Sequence, residues 1–198
     1  MSAYLSKYLK EGPFTTLTDS FRLSINTVAV KLSEEIGREN VIKIAKRLGL
    51  HNKLKNIPSV ALGTSEHTLL ELTGAYAGIL NKGKHVRPYG ITELRLKDHV
   101  RPLMTKNFEI GNRILSESTT EELIYMMHRT IHDGTGVRAK IDGLEAAGKT
   151  GTTQGQRDAW FVGFTSHFVV GVWMGNDKNQ PLTGVHGGGL PAEIWKEI

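Results

Sequence analysis

The sequence predicts an α+β fold, with helices stacked on one antiparallel sheet. Two observations carry that expectation. Apolar residues recur at helical spacing through the first two thirds of the chain, and three strand-like runs then follow one another with only turns between them, before a short closing helix. No repeat or low-complexity segment is evident, so residues 16–198 read as one unit and residues 1–15 as an unassigned N-terminal segment.

Composition narrows the classes. A chain of 198 residues with 39% hydrophobic residues can bury one ordinary core. The net charge of +5 comes from scattered basic residues, so no nucleic-acid partner is expected and an anionic small group suits the charge equally well. The absence of cysteine excludes disulfides and thiolate chemistry and suits an exported domain. The eight histidines show no ligand spacing such as H-E-x-x-H, so no metal and no cofactor are expected. The opening MSAYLSKYLK lacks the apolar core of a signal peptide, and no run approaches the roughly 20 residues of a membrane span.

Residues 1–14 are ambiguous and end in a Gly12-Pro13 turn signal. From Thr16, the positions Leu17, Phe21, Val28, Leu32 and Ile36 fall near helical spacing, and Gly37 closes the run. Ser24-Ile25-Asn26 lies inside it. Residues two apart on a helix point away from each other, so Ser24 and Asn26 converge on one ligand only if the helix breaks there; an uninterrupted amphipathic helix is the other reading. Glu39 to Leu48 reads as a second helix stopped by Gly49, and Thr68 to Glu71 as a capping box opening a helix to about Leu80. Ile91 to Leu96 alternates like a half-buried strand, and a short strand is expected near Arg113 to Leu115. Ser118 to Glu121 reads as a second capping box for a helix through Leu123, Ile124, Met127 and Ile131, ended by His132-Asp133-Gly134-Thr135-Gly136. Strands follow around Lys149, over Asp158 to Thr165 and over His167 to Met174, then a helix over Ala192 to Ile198. Trp160 and Trp173 are expected to bury against helices, and Met126, Met127 and Met174 to serve as packing. Arg138 and Arg157 read first as solvated surface residues.

The chemistry concentrates in Ala146-Ala147-Gly148-Lys149-Thr150-Gly151-Thr152-Thr153, where small residues admit a ligand to the backbone and a lysine and three hydroxyls offer donors to an anion. Residues 143–150 match the phosphate-loop pattern G-x-x-x-x-G-K-[ST] letter for letter, but Gly151, Thr152, Thr153 and Gly155 are poor formers of the helix that such a loop must open. An ordinary hairpin with a solvated lysine is another reading. The third treats Lys149 to Thr152 as a K-T-G-T box on an edge strand, as in serine acyltransferases that also carry S-x-x-K and S-x-N elements.

Ser24-Ile25-Asn26, Gly134-Thr135-Gly136 and Lys149-Thr150-Gly151-Thr152, in that order, make the chain resemble the transpeptidase domain of class A penicillin-binding proteins. Ala61-Leu62-Gly63, Thr68 to Leu72, Ala75-Tyr76-Ala77, Arg87-Pro88-Tyr89, Asp158 to Thr165 and Gly188 to Lys196 add to the likeness, which runs from about Thr16 to the last residue. The resemblance implies a β-lactamase/transpeptidase-like fold and a D,D-transpeptidase that cross-links peptidoglycan stem peptides and is trapped by β-lactams. It implies that Ser24 relays protons, that Asn26 binds the donor amide, and that Lys149 supplies positive charge. It also implies that Thr150, Gly151 and Thr152 form the substrate-binding edge, with the Thr152 N–H as an oxyanion donor.

The S-x-x-K nucleophile has no counterpart in this sequence, since no lysine has a serine three positions before it. The resemblance therefore implies a C-terminal portion of the domain, inactive alone, whose serine-bearing helix and N-terminal strands form a partner half outside this sequence. It also implies a parent acting at the periplasmic or extracytoplasmic face of the membrane, with its targeting signal elsewhere. A non-catalytic module that keeps only the carboxylate site is the alternative from another class.

Overall fold

A computed structural model describes residues 15–198; the Gly12-Pro13 turn signal lies outside them. Thr16 caps helix α1 (Leu17–Arg22), its hydroxyl accepting from the Asp19 N–H at 3.0 Å. The apolar run that began there does not continue as one helix. It breaks at Ser24 and resumes as α2 (Asn26–Ile36). Gly37, at φ 87°, then turns the chain into α3 (Arg38–Arg47). Residues 51–65 are a loop with one 3-10 segment, Pro58–Leu62. Helix α4 (Leu69–Leu80) starts with the reciprocal box its sequence announces: Thr68 Oγ1 accepts from the Glu71 N–H, and the Glu71 carboxylate accepts from the Thr68 N–H.

Two small antiparallel pairs follow α4 in the chain, and the first packs against it through its leading strand. Strand β1 (Lys84–Val86) pairs with β4 (Ile110–Arg113), and between them β2 (Glu93–Leu94) pairs with β3 (Met104–Thr105). The expected half-buried strand over Ile91 to Leu96 shrinks to Glu93–Leu94, because this hairpin is covered by no other layer. Ile91, Leu94 and Leu96 are all exposed. The strand expected near Arg113 to Leu115 ends at Arg113 instead, because its register is set by pairing with β1.

Helix α5 (Glu117–Asp133) is capped by Ser116, not Ser118: the Ser116 hydroxyl accepts from the Thr119 N–H at 3.1 Å. The main sheet is the meander β5 (Ala147–Thr152), β6 (Ala159–Phe164), β7 (Val169–Met174), antiparallel throughout. Strand β6 lies in its middle and is nearly continuous in apolar residues, since both of its faces are covered. On one face Phe161 and Val172 pack with Ile131, Ala139, Ala192 and Trp195 of α6 (Leu190–Glu197). On the other, Ala147 and Phe164 pack with Ile79 of α4 and Met127 of α5.

The tryptophan expectation is corrected here. Trp160 and Trp173 are register partners with ring centroids 6.0 Å apart, and Trp173 is exposed, so they pack on each other at the sheet's outer end and not beneath a helix. The buried tryptophan is Trp195, whose Nε1–H donates to the carbonyls of Gly163 and Val170 at 3.3 and 3.1 Å. Met127 is a core residue, while Met126 and Met174 are half-buried.

Candidate active site

Ser24 owes its position to a backbone fault. Helix α1 stops at Arg22, and Ser24 takes φ 53°, the left-handed region in which a non-glycine residue is uncommon. The turn is closed by the Ile25 N–H, which donates to the Ser20 carbonyl at 2.9 Å, and α2 begins at the exposed Asn26. The break removes the geometric objection to Ser24 and Asn26 sharing one side, because the two no longer lie on a single helix.

Lys149 sits mid-way along β5, the edge strand of the sheet, opposite Val162. Its Nζ donates to Ser24 Oγ and, at 3.2 Å, to the Thr150 carbonyl, and lies 5.7 Å from the centre of the Phe21 ring. Burial pushes its pKa down to about 8. An amine that loses its proton near pH 8, well below an ordinary lysine, is a group able to pass a proton to or from the serine hydroxyl against it.

Side chains alternate along β5, so Thr150 faces away from Lys149. Its hydroxyl shares a hydrogen bond with Thr135 Oγ1 at 2.7 Å. Thr152 is exposed, and its Oγ1 accepts from the Gly187 N–H at 3.0 Å. Residues 187–189 are buried against this strand: a Cβ on Gly187 would lie 2.4 Å from the Gly151 and Trp160 carbonyl oxygens. Only a residue without a side chain allows that approach.

The phosphate-loop reading does not survive the local geometry. Lys149 continues as strand to Thr152, then a single 3-10 turn, Gln154–Gln156, so the helix N-terminus that would hold a phosphate is not there. Arg138 and Arg157 are exposed, as the sequence suggests, with Arg138 in a surface pair with Glu193 at 2.6 Å and Arg157 donating to the Asn179 carbonyl. Among the described residues no cluster of three or more His, Cys, Asp or Glu could hold a metal, and no helix is long and apolar enough to cross a membrane.

The structure thus brings Ser24 and Lys149 together, leaves Asn26 at the adjoining helix start, and turns Thr150 and Thr152 alike to the face opposite Lys149, beside Gly188 and Gly187. Sequence reasoning missed three contributors. Phe21 looked like an ordinary helical apolar residue, Thr135 served only as a landmark between two glycines, and Gly187 drew no reading at all. Glycines flanking a lone threonine were the one available signal for Thr135.

Comparison with known proteins places this geometry. Residues 3–198 match the family described as penicillin binding protein transpeptidase domain. Penicillin-binding protein 1A of Aquifex aeolicus is 38% identical over 188 residues, which cover 94% of this chain and 25% of that protein. The chain therefore spans about a quarter of the length of that relative. Among solved structures, penicillin-binding protein 1A from Haemophilus influenzae aligns with a TM-score of 0.82 at 22% identity, covering 92% of this chain and 34% of the other. Penicillin-binding protein A from M. tuberculosis, solved as an imipenem acyl-enzyme complex, aligns with a TM-score of 0.76 at 22% identity, covering 94% of this chain and 47% of the other. The α+β fold expected from sequence is that of penicillin-binding transpeptidase domains, and the chain belongs to the penicillin-binding protein transpeptidase domain family.

Proposed function

We propose that this chain supplies half of the active site of a D,D-transpeptidase that cross-links peptidoglycan at the extracytoplasmic face of the membrane. The nucleophilic serine comes from another segment of a longer protein. In that reaction the serine Oγ attacks the penultimate D-alanine carbonyl of a stem peptide, and the C–N bond breaks. The terminal D-alanine amine leaves with a proton relayed through Ser24. An acceptor amine then displaces the serine from the acyl ester. Lys149, alternately neutral and protonated, keeps the Ser24 hydroxyl able to give and regain that proton. Asn26 binds the donor amide, and the Thr152 N–H faces the oxyanion. Thr150 and Gly151 complete the substrate-binding edge. Because Thr152 Oγ1 accepts from Gly187, its own O–H stays free to donate to the substrate carboxylate.

The observation that carries this reading is the hydrogen bond from Lys149 to Ser24, which joins the K-T-G-T strand to the S-I-N turn. Fluorescent penicillin tests it. The longer protein becomes labelled at a serine outside this stretch, Ser24→Ala and Lys149→Ala each slow the labelling by about 100-fold or more, and the 198-residue chain by itself stays unlabelled. Absence of labelling in the longer protein would move the reading to a carboxylate-binding module without chemistry. Labelling of a serine in the short chain would show that the nucleophile lies within it.

A further inference from the structure

Ser24 and Lys149 are 125 residues apart in sequence, and one hydrogen bond between two flexible side chains cannot by itself hold their backbones in place. A second, stiffer connection runs beside it. Arg22, the last residue of α1, sends its Nη1–H to the carbonyl of Asp133, the last residue of α5, at 2.6 Å. A helix C-terminus with free carbonyls is a favourable place for a guanidinium. Arg22 Nε is braced by Asp19 at 2.8 Å, and the Asp133 carboxylate by Arg129.

Two residues beyond Asp133, the Thr135 N–H donates to the backbone carbonyl of Arg22 at 3.0 Å. The Thr135 hydroxyl pairs with that of Thr150, the residue after Lys149. The turn is tight: a Cβ on Gly134 would lie 2.5 Å from the Arg22 oxygen, and one on Gly188 2.1 Å from the Thr135 oxygen. A path of short polar contacts thus leads from the residue two before Ser24, through the end of α5, to the residue after Lys149.

We infer that the Asp133–Gly136 turn is a clamp that sets the spacing between the Ser24 turn and the Lys149 strand, with Arg22 and Thr135 as its positioning residues. Neither touches the reacting atoms. The catalytic consequence rests on the transpeptidase reading, but the geometric one does not. With the clamp open, the Ser24 turn drifts from β5 and water reaches the Lys149 amine.

The test follows the titration of Lys149 in the 198-residue chain, from the pH dependence of its acetylation read by peptide mass spectrometry, beside thermal unfolding of the same samples. Arg22→Met keeps the stem and loses the donors; Thr135→Val loses only the hydroxyl; Thr135→Ser restores it. Lys149 in the unaltered chain should titrate well below an ordinary lysine, near 8. Arg22→Met and Thr135→Val move its midpoint up by about one unit or more, toward the ordinary lysine value, and Thr135→Ser brings it back. The inference is overturned if both variants lower the melting temperature yet leave the Lys149 midpoint in place, or if Thr135→Ser behaves like Thr135→Val. Should Arg22→Met fail to fold, the Thr135 pair decides. The titration involves no acyl transfer, so its failure leaves the transpeptidase reading to the penicillin experiment, and failure of that experiment leaves the clamp standing.

Discussion

Lys149 donates a hydrogen bond to the hydroxyl of Ser24 while its amine rests near the Phe21 ring, and among the described residues no carboxylate pairs with it. A buried cation without a counter-charge lowers stability, and burial brings its pKa from 10.5 to about 8. The sign follows from proton counting. Between those two values the unfolded chain binds more protons at this lysine than the folded one, so its contribution to stability rises with pH across that window and is lost as pH falls through about 8. Lys149→Met should therefore be more stable than the unaltered chain near neutral pH, by on the order of 2 kcal/mol. The advantage should shrink as pH approaches 10.5. Urea midpoints of both proteins across that range check it, and a constant difference would remove the buried-charge account.

Gly187→Ala should damage the site more than its small size suggests. The added methyl would meet the Gly151 and Trp160 oxygens at 2.4 Å and the Gly151 nitrogen at 2.8 Å, all backbone atoms that cannot swing aside. Overpacking of this kind costs about 1–3 kcal/mol. The Gly187 N–H would also leave Thr152 Oγ1. Gly184→Ala, where nothing lies within 4 Å but φ is 73°, gives a strain-only comparison. Thermal unfolding of the two variants separates collision from backbone strain; equal losses would mean that the close approach contributes nothing.

How far the fold was legible depended on whether local chemistry decided the outcome. The box at Thr68 and Glu71 was readable because four residues suffice to make it. The cap of α5 was displaced from Ser118 to Ser116 because two serines stand two apart, and only the packing of the helix chooses between them. Alternation at Ile91 to Leu96 marked a strand but could not reveal that no layer covers it. Trp160, Trp173 and Trp195 have the same chemistry, and tertiary position alone buries the last. At the site, Ser24 and Lys149 could be named from their motifs. Their contact depends on a left-handed serine that no glycine announces, and the Arg22, Thr135 and Thr150 links join segments with no sequence pattern in common.

Thr68→Ala should cost about 1 kcal/mol, the usual worth of an N-cap hydroxyl. The Glu71 carboxylate is held below the usual range chiefly by the Thr68 N–H it accepts from. That backbone bond survives the substitution, so the loss stays modest. Glu71→Ala removes the other half of the box, and the double variant should lose less than the sum of the two, because each half orients the other. Urea denaturation of the three variants measures the coupling; strict additivity would show that the two bonds act independently.

Trp195→Ala should be the most damaging of these substitutions. Trp195 is 4% exposed, its ring is 5.4 Å from that of Phe161, and its indole N–H bridges the Gly163 carbonyl on β6 and the Val170 carbonyl on β7. Truncation removes the apolar contact and leaves a cavity where α6 meets the sheet, a loss of about 3–5 kcal/mol. Trp195→Phe refills much of the volume and forfeits only the N–H, so it should cost about 1–2 kcal/mol. The gap between the two variants measures packing against hydrogen bonding at one position. Phe161 stands opposite Thr150, so the alanine variant should also loosen the strand that carries Lys149. Amide hydrogen exchange along residues 147–152 reads that directly: faster exchange in Trp195→Ala than in Trp195→Phe ties α6 to the site, and equal rates would confine its role to global stability.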